Sequence, residues 1–350
     1  MDLNSEGVLQ IPPHEILNDN TNLTMKSGQS PRLLDRPTAF PELLHMSEDF
    51  GLAGKFVRSV LPYSEADSAA LLLQFLAVYG NTIGRSAYYS VEADKQHMNI
   101  FVMIVGASSK ARKGTSWGQI QNIFNTVEPD YMKKRKASGL SSGEGVIWAV
   151  RDEIVKSVWS EQSKAFKEIP TDPGIQDKRL LLVETEFGAV LQALNRDGNK
   201  LSAIIRDMYD HGNLGSLTKN EPAKATDAHA SIIGHITIAE LSRYLTDVDA
   251  LNGFGNRFIW IASSRSKLVP LGGNRDDLRK QQEPLYPLLK QAIDHGRRVG
   301  LIQLSHEART RWEEIYYILS HSPVGLVGVI TARGSARHKT GGNTRTFRFN

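Results

Sequence analysis

The stretch MNIFVMIVGASSKARKGTSWGQIQNIFN, residues 98–125, decides the fold. Its apolar run 100–105 predicts a buried strand, which ends at Gly106. A loop of small and basic residues follows, and from Trp117 onward apolar residues recur at helical spacing. The segment therefore predicts a strand, a glycine-bounded basic loop and a helix, in that order.

This order is typical of a phosphate-binding loop. In such a loop, backbone N–H groups and a helix N-terminus hold the anion, a lysine reaches the outer phosphates, and a hydroxyl binds Mg²⁺. The standard pattern G-x-x-x-x-G-K-[ST] places its lysine after the second glycine, whereas here Lys113 precedes Gly114. By pattern alone, a basic strand-to-helix connection without a ligand remains an equal alternative. The candidate nucleotide-binding residues are Gly106, Ser109, Lys110, Arg112, Lys113, Gly114, Thr115 and Ser116, with Thr115 also a candidate magnesium ligand.

Acidic residues follow a second apolar run in LLLVETEFGAVL, residues 180–191. Glu184 stands where a buried strand would end, and Glu186 lies two residues beyond it. A carboxylate at the carboxyl end of a central strand can hold Mg²⁺ or orient an attacking water. We therefore expect Glu184 at the metal and Glu186 near the water, although exposed acids after a buried strand are also common.

A third acid, Glu144, lies in the stretch GLSSGEG, residues 139–145. Apolar residues four apart, from Val146 through Ile154 to Val158, predict one helix whose N-terminus carries Glu144. Capping alone explains the two serines of this stretch. The functional alternative is a second loop in which Glu144 lies near the attacking water. The polar span 160–179 predicts a surface connection.

Two further places offer groups for phosphate chemistry. His235 and Thr237 end a third predicted buried strand and could sense the γ-phosphate, but His235 is equally well explained as a hydrogen-bonded core histidine. Arg257 follows a glycine-rich turn just before another apolar run, so it is an arginine-finger candidate acting in cis or from a neighbouring subunit. Its alternative role is a structural salt bridge.

Composition narrows the class of protein. The 350 residues carry a net charge of +4 and no cysteine, which excludes disulfides, thiolate metal sites and cysteine nucleophiles. No run of about 18 apolar residues and no signal peptide is visible, so we expect a cytoplasmic protein without a membrane segment. The basic balance permits contact with nucleic acid but does not require it.

The chain divides into five predicted parts. We expect a loosely ordered arm at 1–38, a helical lead-in at 39–94, the nucleotide-binding core at 95–265 and a helical segment at 266–333. Residues 334–350 form a basic tail without helical periodicity. A frameshift truncation near Arg333 would explain this tail, and a genuine basic tail for nucleic acid is the alternative.

Most of residues 50–333 resembles a largely uncharacterised family of P-loop ATPase-like proteins from phages, plasmids and integrated elements, often found C-terminal to primase-polymerase domains. The resemblance is carried by GLAGKFVRSVLP, VGASSKARKGTSW, LSSGEGVI, LLLVETEFGAVLQALNRDGNKLSAIIRDMYD, GHITIAEL and NGFGNRFIWI. It implies an α/β fold with a RecA-like P-loop NTPase core and flanking helical segments. It also implies that Lys113, Thr115 and Ser116 bind phosphate and magnesium, that Glu184 and Glu186 form the acidic strand end, and that Arg257 is an arginine finger.

Together these features predict an ATPase, with ATP and Mg²⁺ as ligands, that acts in replication or maintenance of a mobile genetic element. The expected partners are single-stranded DNA, further copies of the chain and a primase-polymerase. Two functions of other classes remain open at this point: a nucleic-acid-binding module with a vestigial P-loop, and a small-molecule kinase.

Overall fold

The computed structural model describes residues 44–45, 50–108, 110–216, 223–245 and 252–320. The strands are β1 Tyr88–Val91, β2 Asp94–His97, β3 Phe101–Val105, β4 Lys136–Ala137, β5 Ile154–Ser160, β6 Ala165–Asp172, β7 Arg179–Glu184, β8 Leu214–Ser216, β9 Ala223–Ala225, β10 His229–Ile236 and β11 Phe258–Ala262. The helices are α1 Gly51–Val60, α2 Ser68–Ile83, α3 Lys113–Val127, α4 Pro129–Arg135, α5 Gly143–Ala149, α6 Phe187–Leu194, α7 Leu201–Asp210, α8 Ile238–Tyr244, α9 Arg275–Gln282, α10 Leu285–Gly296 and α11 His306–Ser320. The predicted arm at 1–38, the tail at 334–350 and its proposed truncation lie outside the described residues.

A five-stranded parallel sheet forms the centre, in the order β11-β3-β10-β7-β4. Strand β3 therefore lies inside the sheet, with β10 on one side and β11 on the other. Parallel strands need crossover connections, and here helices α3 to α8 supply most of them. A mixed α/β architecture of this kind is compatible with a Rossmann-like or RecA-like fold, and the predicted α/β class is confirmed.

Each face of the sheet is covered by its own apolar cluster. Val102 and Ile104 of β3 pack with α1, α2, α3, α4 and α10 on one face. Phe101 and Met103 of the same strand pack with α5, α6 and α7 on the other face. Successive side chains of a strand point to opposite faces of the sheet. A strand that is buried on both faces therefore needs an uninterrupted run of apolar residues, as β3 has.

The segment that decides the fold has the predicted elements. Strand β3 is buried except at its last residue, and α3 buries Trp117, Ile120 and Phe124 against the sheet. The predicted strands around 180–183 and 229–237 are β7 and β10. Strand β10 lies beside β3, and β7 lies on the far side of β10. All three strands are parallel, so the residues at the carboxyl ends of β7 and β10 share one edge of the sheet with the basic loop.

The structure corrects the predicted helix from Val146 to Val158. Helix α5 ends at Ala149, whereas Ile154 and Val158 belong to β5. The predicted surface connection 160–179 contains β6, which pairs with β5 in an antiparallel hairpin. A spacing of four residues fits both a helix face and one face of a strand, and β-branched residues favour the strand.

Residues 84–97, which overlap the end of the predicted helical lead-in at 39–94, are not helical. They form the antiparallel hairpin β1-β2, a sheet separate from the central one. Within the described part of the chain, no helix is long and apolar enough to cross a membrane.

Two helical glycines give a matched test of this packing. A Cβ on Gly80 of α2 would lie 2.2 Å from the carbonyl oxygen of Met98, whereas a Cβ on Gly118 of α3 would meet no atom within 4 Å. Gly80→Ala should therefore lower the free energy of unfolding by about 1–3 kcal/mol through overpacking. Gly118→Ala should raise it by up to about 1 kcal/mol, because alanine favours the helix. Urea unfolding of both variants measures the difference, and equal effects would contradict the described approach of α2 to Met98.

Candidate nucleotide-binding site

The basic loop begins at Gly106, directly after β3. The Gly106 N–H donates to the carbonyl of Ile236 at the end of β10, at 3.2 Å. A Cβ at Gly106 would lie 2.4 Å from the carbonyl oxygen of Ser263 and 2.6 Å from the Cβ of Ala111. The loop therefore needs glycine at this position, because its backbone passes close to two neighbouring segments.

Lys113 folds back over this loop. Its Nζ donates to the carbonyl oxygen of Gly106 at 2.8 Å and to that of Ala107 at 3.2 Å. Burial lowers the pKa of Lys113, and the carboxylate of Glu240 opposes this shift. The ammonium group thus lies inside the loop, at the first residue of α3.

Arg112 has a partner within the chain. Its Nε donates to a carboxylate oxygen of Glu65, and the Nε of Arg265 lies 3.6 Å from the same oxygen. The backbone N–H of Val269 lowers the pKa of Glu65 most strongly; burial opposes it, and the two arginines lower it further. Arg112 also has left-handed backbone angles, φ 52° and ψ 29°, which are uncommon outside glycine. Its guanidinium group therefore fixes the loop to the segment before α2.

The hydroxyl groups at the start of α3 differ in their surroundings. Thr115 is exposed, as are Gly114 and Lys110. Ser116 is buried, accepts a hydrogen bond from Gln74 Nε2 at 2.8 Å and donates to the carbonyl of Lys113 at 2.7 Å. Of these two hydroxyls, Thr115 is the accessible one. Ser109 lies outside the described residues.

A polar chain runs beneath the loop. His235 Nε2 lies 3.2 Å from Gln74 Oε1, and Gln74 in turn donates to Ser116. Burial lowers the pKa of His235 to about 4, and the neighbouring Lys113 contributes to the shift. Of the two roles considered for His235, the structure shows a buried, hydrogen-bonded core histidine.

Glu184 lies at the carboxyl end of β7, as predicted. It is 8% exposed, and one carboxylate oxygen accepts from the Leu140 N–H at 2.8 Å. Burial raises the pKa of Glu184, while hydrogen bonds from Leu140 and Gly139 partly offset the shift. The strand register places Glu184 beside Gly234 of β10, which in turn lies beside Met103 of β3. Two strand spacings separate Glu184 from β3, or about 10 Å.

The other predicted acids are accessible. Glu186 is exposed immediately before α6, and Glu144 is exposed in the first turn of α5. Ser142 caps α5 by accepting from the Gly145 N–H at 3.1 Å, as the capping explanation predicts. Thr237 caps α8 in the same way, and its hydroxyl donates to Glu240 at 2.7 Å.

Arg257 lies away from these groups. It precedes β11, whose first residue Phe258 is level with Phe101 at the start of β3. Its guanidinium Nη2 lies 2.6 Å from a carboxylate oxygen of Asp210, and its Nη1 donates to the Gly253 carbonyl at 2.7 Å. Within one chain, Arg257 therefore lies at the opposite edge of the sheet from Gly106. It forms a structural salt bridge with Asp210.

Three residues of the site were not predicted: Gln74, Glu240 and Ser263. Gln74 is fully buried and connects α2, α3 and β10. One signal was visible, because Gln74 is the single polar residue in the otherwise apolar run 69–78. Glu240 completes the capping box of α8, which the spacing T-x-x-E indicates. The contact of Ser263 with the loop has no sequence signal.

The site thus consists of a strand end, a lysine-containing loop, a helix N-terminus and an accessible threonine, at the edge where β3, β10 and β7 end. In the described part of the chain, no three His, Asp or Glu residues are grouped as a ready-made metal site. No protein-family model matches the chain, and no curated protein matches it either.

The buried histidine predicts a pH effect on stability. The folded-state pKa of His235 is depressed to about 4 from the ordinary value of 6.5, so protonation favours the unfolded chain. Its contribution to stability is present above pH 6.5 and is lost as the pH falls toward 4, by up to about 1.4 kcal/mol per pH unit. His235→Gln should flatten the stability curve in this window, whereas His306→Gln, an exposed control, should not. Urea unfolding at several pH values tests this, and parallel curves for His235→Gln and the parent would refute it.

Proposed function

We propose that the protein is a P-loop NTPase that binds ATP with Mg²⁺ and hydrolyses it. The observation that carries the proposal is the Lys113 ammonium group enclosed by the loop between β3 and α3. Strands β3 and β10 lie side by side, and their connections cover opposite faces of the sheet. In open α/β sheets, ligands bind at such a switch point, outside the carboxyl ends of the strands.

The residues present fit a nucleotide phosphate group. Helix α3 has 15 residues, so its N-terminus carries a full helix dipole. Lys113 can exchange its bonds to the Gly106 and Ala107 carbonyls for bonds to phosphate oxygens without moving out of the loop. Thr115 would hold the magnesium ion, which neutralises phosphate charge when bound.

The acidic residues have separate parts in this proposal. Glu184 would act on the metal through water, while one of its carboxylate oxygens accepts from the Leu140 N–H. Glu186 and Glu144 are the exposed carboxylates available to orient the attacking water. Arg257 would serve as an arginine finger only for the site of a neighbouring subunit.

The biological setting follows from the family resemblance and is part of the proposal. A RecA-like motor would act on single-stranded DNA in a mobile element, as an oligomer and alongside a primase-polymerase. The alternative of a nucleic-acid-binding module with a vestigial loop differs in one measurable property, namely that it would show no turnover. A small-molecule kinase would instead need an acceptor substrate.

Lys113→Ala tests the loop. The substitution removes charge-assisted hydrogen bonds of about 1.5–3 kcal/mol, so affinity for a fluorescent ATP analogue should fall at least about tenfold. Lys280→Ala, on the exposed face of α9, is the matched control and should bind as the parent does. Thermal unfolding of both variants checks that the fold is retained. Unchanged affinity in a folded Lys113→Ala protein would remove the nucleotide from the proposal.

Glu184→Gln separates chemistry from stability. Because burial raises the pKa of Glu184, its contribution to stability is greatest below its ordinary pKa and is lost as the pH rises through the raised value. The neutral amide can still accept from Leu140, so at pH 8 the melting temperature should stay level or rise. ATP turnover should fall about 100-fold or more if Glu184 acts on the metal and water.

Glu186→Gln and Glu144→Gln, measured in parallel, identify the carboxylate that orients water. Full turnover in these two variants and in Glu184→Gln would show that none of the three acids takes part in hydrolysis.

A further inference from the structure

The hairpin formed by β5 and β6, residues 154–172, is called the ribbon below. Its base is tied to the rest of the chain. The Arg151 guanidinium donates three hydrogen bonds of 2.8 to 3.0 Å to the two carboxylate oxygens of Asp172, and Lys178 Nζ lies 2.7 Å from Asp152. Beyond this base, almost every residue of both strands is exposed. An isolated two-stranded hairpin is only marginally stable in water, so an exposed ribbon with large apolar side chains indicates a ligand.

Two aromatic rings lie on one face of the ribbon, close to its turn. Trp159 and Phe166 are directly opposite each other in the strand register, with ring centroids 5.2 Å apart. Trp159 is 48% exposed and Phe166 is 70% exposed. Trp148, which precedes the ribbon, is also about half exposed and stacks with the Arg151 guanidinium at 4.0 Å. Most other large aromatic rings of the described residues are buried or partly buried, so the group of exposed rings at the ribbon and its base is distinctive.

The opposite face of the ribbon is basic. Lys156 lies beside Ile169, and Val158 lies beside Lys167, so each pair joins one lysine with one aliphatic residue. Residues alternate between the two faces, which places both lysines on the face without the aromatic pair. Lys164 lies in the turn together with Glu161, so the turn itself carries no net charge. The acidic Glu168 pairs with Ser157, and this pair is the next one on the aromatic face after Trp159 and Phe166.

Neither face resembles the core of a protein interface. On the aromatic face, Ser157 and Glu168 separate the ring pair from Val155 and Pro170. On the basic face, each of these two cross-strand pairs contains one lysine and one aliphatic residue, so the aliphatic side chains do not form a continuous surface. Interface cores are depleted in lysine and glutamate and form a continuous apolar surface. Exposed rings beside flexible lysines instead suit single-stranded nucleic acid, whose bases stack on aromatic side chains and whose phosphates bind cations.

We propose that the ribbon is a binding surface for single-stranded nucleic acid. Trp159 and Phe166 stack on successive bases, and Lys156 and Lys167 reach around the narrow ribbon to the phosphates. The ribbon leaves the central sheet between β4 and β7 and returns at Arg179, the first residue of β7. Its base therefore lies at the amino edge of the sheet, opposite the nucleotide-binding loop. This proposal does not depend on nucleotide turnover.

Fluorescence anisotropy of a labelled oligothymidylate with the intact protein, without ATP or Mg²⁺, tests the proposal. The double variant Trp159→Ala/Phe166→Ala should weaken binding at least about tenfold, because each stacked base is lost with its ring. Lys156→Gln/Lys167→Gln should also weaken binding and should reduce the slope of log affinity against log salt by about 1.4. Tyr316→Ala, which removes a ring of equal exposure on α11, is the control and should leave the affinity unchanged.

Two results would overturn the proposal. One is a parent protein that does not bind oligothymidylate at low salt, and the other is an aromatic double variant that binds as tightly as the parent. If the sedimentation mass of that tightly binding variant also falls, the ribbon is a contact between copies of the chain. Circular-dichroism melting of each variant guards against a general loss of fold. Since ATP is absent, none of these results bears on the proposed NTPase activity.

Discussion

The requirement that a parallel sheet be covered on both faces governs this structure. Strand β3 meets it by sending Phe101 and Met103 into one apolar cluster and Val102 and Ile104 into the other. With both faces closed, polar chemistry can be presented only where the strands end. The loop after β3, the capped helix after β10 and the acids after β7 all lie at the same edge for this reason.

At that edge, the chain supplies partners for most of its own polar groups. Arg112 contacts Glu65, Ser116 contacts Gln74, and Lys113 contacts two loop carbonyls. The partners of the Lys113 ammonium group are neutral backbone oxygens. A phosphate oxygen would be a stronger acceptor for an ammonium group than a neutral carbonyl. Arg112, by contrast, would have to leave a carboxylate. Lys113 is therefore the cation that can more readily exchange its present partners for a phosphate ligand. Arg112 instead keeps the loop in its conformation through Glu65.

The sequence predicted the parts of this arrangement that depend on local periodicity. The strand, loop and helix from 100 to 127 and the acid-terminated strand β7 are of this kind. The helix predicted from Val146 to Val158 was wrong because a four-residue spacing does not distinguish a helix from a strand. The burial of Ser116 could not be foreseen, since it depends on Gln74, 42 residues away. The position of Arg257 follows from topology once the strands are known to be parallel.

The nucleotide-binding loop and the base of the ribbon lie at opposite edges of the sheet, and helix α5 joins Leu140, which contacts Glu184, to Arg151, which contacts Asp172. The loop before it donates from Leu140 to Glu184 at the carboxyl edge. The residues after it include Arg151, which binds the Trp148 carbonyl at the end of α5 and Asp172 at the base of the ribbon. Seven helical residues span only about 10 Å. Glu184 and Asp172 therefore contact residues at opposite ends of one short helix.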